Sequence, residues 1–97
     1  MPARTFYLSF VHVPNAQDVR CDFHSGIIND TIILTNITNN VLTNANVVVT
    51  YAGRQQQKSL PRWRSNQSVE FRFTLAATDR HFTVDIDANE GAIGFQY

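Results

Sequence analysis

Four cations, Arg54, Lys58, Arg62 and Arg64, fall within eleven residues with no acid among them, and Trp63 stands between the last two. Cations beside an aromatic ring can grip a nucleic-acid strand by phosphate contact and base stacking. An exposed Trp can equally stack on a sugar ring. With Tyr51 just upstream, the candidate ligand-binding residues are Tyr51, Arg54, Arg62, Trp63 and Arg64. The competing reading makes Trp63 a cap on the core, its arginines solvated or paired with the acidic stretch at 85–90. Most of a Trp surface is usually buried, so the residues favour the cap.

A second cluster, Asp85-Ile86-Asp87-Ala88-Asn89-Glu90-Gly91, begins like a calcium loop. Hard cations take several oxygens at fixed spacing, and Asp85, Asp87 and Asn89 supply three. The helix-flanked loop needs Gly sixth and Glu twelfth, where this chain has Glu90 and Gln96. The two aspartates read better as outward residues of a strand, followed by a hairpin turn at Asn89-Glu90-Gly91. No metal and no cofactor are expected.

Nucleophilic chemistry has little to work with. Cys21 and His24 point to opposite faces of a strand by parity, so the histidine cannot activate the thiol directly. His12 shares the parity of Phe6, Leu8 and Phe10 and reads as a histidine at the core margin. There is no Gly-x-Ser-x-Gly, Gly-rich phosphate loop or His-x-x-x-His. No catalytic residue is assigned, and the expectation is a protein that is not an enzyme.

The elements that must carry these residues follow from a period of two. In "SVEFRFTL", Val69, Phe71, Phe73 and Leu75 alternate with Glu70, Arg72 and Thr74. One face is apolar and the other wet, as a half-buried strand requires. "HFTVDID", "VRCDFH" and "AIGFQY" repeat the pattern. In "TIILTNITNNVLTNANVVVTY", two β-branched runs flank an Asn-rich turn, with Leu42 as a plug under it. "TFYLSFVHV" is apolar on both faces, with Tyr7, Val11 and Val13 opposite Phe6, Leu8 and Phe10, which predicts a strand that is central in its sheet or buried on both sides. Turn chemistry falls at Pro14-Asn15, Ser25-Gly26, Asn39-Asn40, Ala52-Gly53, Ser65-Asn66 and Asn89-Glu90-Gly91. No apolar stripe of helical spacing lasts three turns. Seven or eight mostly antiparallel strands with regular turns predict an all-β sandwich or barrel.

The order "I-x-L-T-N-x-T-x-x-x-L-T-N-A-x-V-x-V-x-Y", followed by "L-P-R-W-x-S-x-Q-S-V-x-F-x-F", resembles small immunoglobulin-like sandwich modules. These include the CARDB-like and fibronectin-III-like accessory domains of bacterial surface and secreted proteins, and the ear domains of clathrin adaptors. The likeness spans about Ile27 to Leu75. It implies an immunoglobulin-like β-sandwich. Two departures stand out. The corner reads Arg64-Ser65-Asn66-Gln67 where those modules usually carry Gly, and the Cys-Trp-Cys triplet of antibody domains is absent.

Ninety-seven residues, 43% apolar and 16% charged, make one folded domain over 1–97. Formal net charge is zero, which argues against a general nucleic-acid or anionic-lipid footprint. No apolar run approaches the ~18 residues of a membrane span, and the first ten residues lack the features of a signal peptide. One cysteine excludes an internal disulfide. Three N-glycosylation sequons begin at Asn29, Asn36 and Asn66; chance accounts for much of that number. The expected function is a non-catalytic binding, spacer or assembly module, an accessory domain of a larger bacterial protein. Its partner would be a protein held through a strand edge or loops. A carbohydrate-binding module using Trp63 and neighbouring arginines is the alternative. An excised domain of such a protein would sit outside the cytoplasm. Oligomeric state is open.

Overall fold

Alternation along the chain becomes eight strands in the computed structural model, which describes residues 3–13, 15–74 and 81–97. They are β1 (Ala3–Leu8), β2 (Val19–Ser25), β3 (Asn29–Asn36), β4 (Leu42–Tyr51), β5 (Arg54–Trp63), β6 (Ser68–Thr74), β7 (Phe82–Ala88) and β8 (Gly91–Gln96). Two four-stranded antiparallel sheets result, in the orders β1-β2-β3-β6 and β5-β4-β7-β8. No helix occurs among the described residues, and none there is long and apolar enough to cross a membrane. Leu75 and Pro14, expected in a strand and a turn, lie outside the described residues.

The inward positions of the two sheets form one core. Val19, Cys21 and Phe23 of β2 and Ile32 and Leu34 of β3 face Val47 and Val49 of β4 and Phe82, Val84 and Ile86 of β7. Full burial of such side chains is worth about 1.5–3 kcal/mol each relative to exposure. Leu42 is 1% exposed and is the plug the sequence predicts. Leu42 and Ala45 both face inward although their parities differ. The chain absorbs the odd residue at Asn44, in the left-handed region with φ of 51°.

Connections settle at two ends. The Ala52-Gly53 turn (φ 53° and 76°) has the mirror-image geometry that suits a tight hairpin. It lies at the same end as the 26–28 turn and both termini. The links 37–41 and 64–67 and the 89–90 turn lie at the other end.

One expectation is corrected. "TFYLSFVHV" is not a central strand: β1 stops at Leu8 and forms a sheet edge. Phe6 packs against Phe95 and Tyr97 of β8, at centroid distances of 5.2 and 4.9 Å. Tyr7, Val11 and Val13 face outward and stay 53%, 70% and 43% exposed. Apolar character on both faces comes from a strand with one packed side, followed by a loop whose valines meet no second layer.

Candidate functional site

The 64–67 corner is built on Asn36. This side chain is fully buried at the end of β3. Its Nδ2 donates to the carbonyls of Asn40 and Trp63, both at 2.9 Å, and its Oδ1 accepts from Thr38 N (2.9 Å) and Thr38 Oγ1 (2.6 Å). Both donors and both lone pairs of the amide are thus used. The backbone N–H of Asn66 donates to Asn36 O at 2.6 Å, and Ser65 Oγ donates to Thr38 O at 2.5 Å. Gln67 closes the corner: its N–H donates to Arg64 O at 3.0 Å, and its Oε1 accepts from Arg64 N at 2.9 Å. Asn66 has φ of 66°. Asn tolerates that region, so the corner forms without a glycine.

Trp63 is the last residue of β5 and is 0% exposed, its Nε1 donating to Gln67 O at 2.8 Å. Tyr51 is 2% exposed. Its hydroxyl donates to Asp30 Oδ2 at 2.5 Å, joining the two sheets across the core. Asp30 is itself fully buried and also accepts from Gly26 N at 3.2 Å. Neither ring has a face to offer a sugar, so Tyr51 and Trp63 leave the candidate ligand-binding set. Arg54, Arg62 and Arg64 remain, all exposed. Arg62 and Arg64 line the corner with Ser65, Asn66 and Gln67, while Arg54 lies at the far end of β5. None has an acid within ion-pair distance among the described residues, so of the two expected fates, solvation or pairing with 85–90, the arginines take the first.

Arg54 and Arg62 thus lie on β5 and Arg64 one residue beyond it, with only a wide-open depression at the Arg62–Gln67 corner. β5 is ten residues long and ends the sheet order, with only Trp63 buried. Among the described residues, no group outside β4 bonds the backbone of 54–62. Gln56 and Lys58 reach across to the other sheet. Gln56 Nε2 donates to Arg72 O at 2.7 Å, and Lys58 Nζ to Glu70 O at 2.6 Å, lying 5.2 Å over the Phe71 ring. They cap the β6 edge and leave their own strand open. β5 shows no alternation in "RQQQKSLPRW" and contains Pro61, a residue that sheets tolerate at an edge, so period two does not reveal it.

The acidic stretch does a different job from holding metal. Asp85 and Asp87 are outward residues of β7, as parity predicts. Asn89 Nδ2 donates to Thr43 Oγ1 at 3.0 Å. Glu90 Oε1 accepts from Thr43 N at 2.8 Å and Oε2 from Thr43 Oγ1 at 2.7 Å. The β7–β8 turn is thereby strapped to β4. The Thr43 backbone and hydroxyl donors hold the Glu90 carboxyl below its ordinary value of 4.5. A depressed folded pKa adds stability that is present above the unfolded value and lost as pH falls through the folded one. Glu90→Gln is therefore expected to lower the denaturation midpoint at neutral pH and to converge with the parent in acid. Urea titrations at both pH values read this, and an equal gap at both would sink it.

The nucleophile candidates stay apart. Cys21 is fully buried, while His24 is exposed on the opposite face. Burial, and next the Asp22 charge, pushes the thiol up to about 12. The folded protein should react with a maleimide only as fast as it unfolds; rapid labelling without denaturant would contradict the placement. His12 is exposed but stacks on Phe10 at 5.7 Å. Among the described residues, no group of three or more His, Cys, Asp or Glu could hold a metal ion. The Asn36 sequon cannot carry a glycan in this fold, because its Nδ2 is buried and bonded twice.

Asp30 and Asn36, the two polar residues that organise the core ends, are marked in the sequence by parity alone. Both share the parity of Ile32 and Leu34 and so point inward. Compared with protein-family models, curated proteins and solved structures, the chain has no match in any of the three.

Proposed function

We propose that this domain is an immunoglobulin-like β-sandwich that works as a non-catalytic binding or assembly module and takes a partner protein along the β5 edge. The observation that carries the reading is the open ten-residue β5 strand, exposed on both faces. An unpaired edge is a template for strand addition, with main-chain hydrogen bonds supplying affinity and side chains supplying choice. The strand order supports the immunoglobulin-like assignment. β2-β3-β6 opposite β5-β4-β7-β8 has the A-B-E and C′-C-F-G arrangement, with β1 added outside A. The buried, proton-holding thiol of Cys21 supports a non-catalytic role. Burial of Trp63 and Tyr51 speaks against the carbohydrate alternative.

The test is a peptide-display selection on the immobilised domain, followed by amide chemical-shift mapping of selected peptides. Shifts concentrated at 54–62 support the reading. Selected peptides that shift only the outer sheet faces, or a selection that enriches nothing, overturn it.

A further inference from the structure

We infer that the segment accepted by the β5 edge is acidic and extended, and that the same charges keep two copies of this domain from pairing through that edge. The inference rests on the strand-addition function proposed for β5. Residues 31–69 hold four cations and no acid, in a chain whose net charge is zero. All four lie on β5 or one residue beyond it. The fold therefore gathers an unbalanced positive charge along one open edge.

Arg54, Lys58 and Arg62 recur every fourth residue, roughly 13 Å apart at 3.3 Å per residue. The register is unchanged along β5, but the ladder skips the facing pair Asn44 and Pro61; this turns Arg62, opposite Thr43, to the outer face, while Arg54 and Lys58, opposite Tyr51 and Val47, lie on the inner side. All three still border the strand that an added segment would occupy. Two acids that adjoin these cations are engaged elsewhere: Glu70, whose carbonyl takes Lys58 Nζ, pairs with Arg72 at 3.1 Å, and Glu90 is held by Thr43, the β4 partner of Arg62.

The occupant follows from complementarity on one side and repulsion on the other. Antiparallel self-pairing centred on Lys58 would set Lys58 directly against Lys58 on the inner side and crowd Arg54 and Arg62 of the two copies onto one seam. Like charges directly opposite destabilise a strand pair. An inward-pointing lysine such as Lys58 and a proline such as Pro61 both deter edge-to-edge association. A second copy is thus disfavoured. A segment with carboxylates at four-residue spacing sets acids opposite Arg54 and Lys58 on the inner side and brings a third close to Arg62, so attraction replaces repulsion along the seam. Exposed pairs of this kind are individually small, so the discrimination must come from several acting together.

The experiment uses the whole domain and three nonapeptides differing only in charge: DTVTDTVTD, NTVTNTVTN and KTVTKTVTK. Binding is measured by fluorescence anisotropy at low and high salt and located by amide shifts. The acidic peptide should bind about tenfold tighter than the neutral one. It should shift 54–62 and lose that advantage at high salt. Lys58→Glu and Arg62→Glu should each shift preference toward the basic peptide while leaving the far-ultraviolet spectrum unchanged. Equal binding of acidic and neutral peptides at 54–62 overturns the acidic choice but keeps the edge reading. Binding of none overturns both. Sedimentation should find no dimer whose formation is abolished by Gln57→Pro; such a dimer would overturn the exclusion of a second copy.

Discussion

Replacing Trp63 by alanine is expected to remove a large share of the stability of this domain. The ring is completely buried where the end of β5 meets the 64–67 corner, and its Nε1 donates to Gln67 O. Truncating a buried aromatic to alanine costs about 3–5 kcal/mol, because the cavity collapses only in part. A domain of this size has about 5–15 kcal/mol in total. The loss falls on the corner as well, since the released carbonyl of Gln67 is the oxygen that also accepts from Asn36 N at 3.1 Å. Trp63→Phe keeps most of the packing and removes the N–H bond, so it should lie between parent and alanine variant. Circular-dichroism melts in urea give the ranking. An alanine variant as stable as the parent would mean that the ring is not in the core. The parent offers an independent reading. Its single Trp should emit at short wavelength when folded and move to the red only with unfolding, and no glycan titration should shift it.

Asn36 should be the second most costly side chain to change. Its amide makes four hydrogen bonds in a fully buried site, two of them donated to the carbonyls of Asn40 and Trp63. Asn36→Ala removes partners from several buried groups at about 1–3 kcal/mol for each left unsatisfied. A total of about 3 kcal/mol is expected, with shared corner bonds keeping it below the simple sum. Asn36→Asp has almost the same shape but turns a carboxylate oxygen toward the carbonyls of Asn40 and Trp63. It should therefore destabilise more than alanine near neutral pH and recover partly in acid, when the carboxyl is protonated and becomes a donor. Equilibrium urea denaturation of the three proteins at two pH values is the measurement. If the aspartate variant matches the parent at neutral pH, the two donated bonds do not form.

Much of the core is legible in the residue pattern. Val19, Cys21 and Phe23, or Val69, Phe71 and Phe73, face inward because neighbouring residues on a strand must point to opposite sides, and one side must leave water. The same rule places Asp85 and Asp87 outside, and Cys21 and His24 on different faces. The candidate site is legible only in outline. Its arginines stand out by type, but they string along one strand, and the depression that Arg62 and Arg64 share is wide open. β5 carries a polar run that fits no apolar period, because a strand at an open edge has almost no buried face to encode. Tyr51 and Trp63 enter the candidate set because a ring suited to stacking on a ligand is equally suited to filling a core, and only burial separates the two.

Element type, the inward residues of most strands and the positions of the turns all follow from interactions between close neighbours in the chain, so the sequence carries them unaided. Which strands became edges is a matter of tertiary pairing. β1 lies outermost although its stretch of sequence is the most evenly apolar, while β4, whose outward residues are mostly Thr and Asn, lies between β5 and β7. Pairing joins residues far apart, such as Leu42 with Trp63 and Asn29 with Thr74. It depends on how two whole faces fit, a quantity that no local pattern contains. For the same reason, four cations near one another in sequence became a charged edge only once β4 had taken β5 on one side and nothing had taken it on the other.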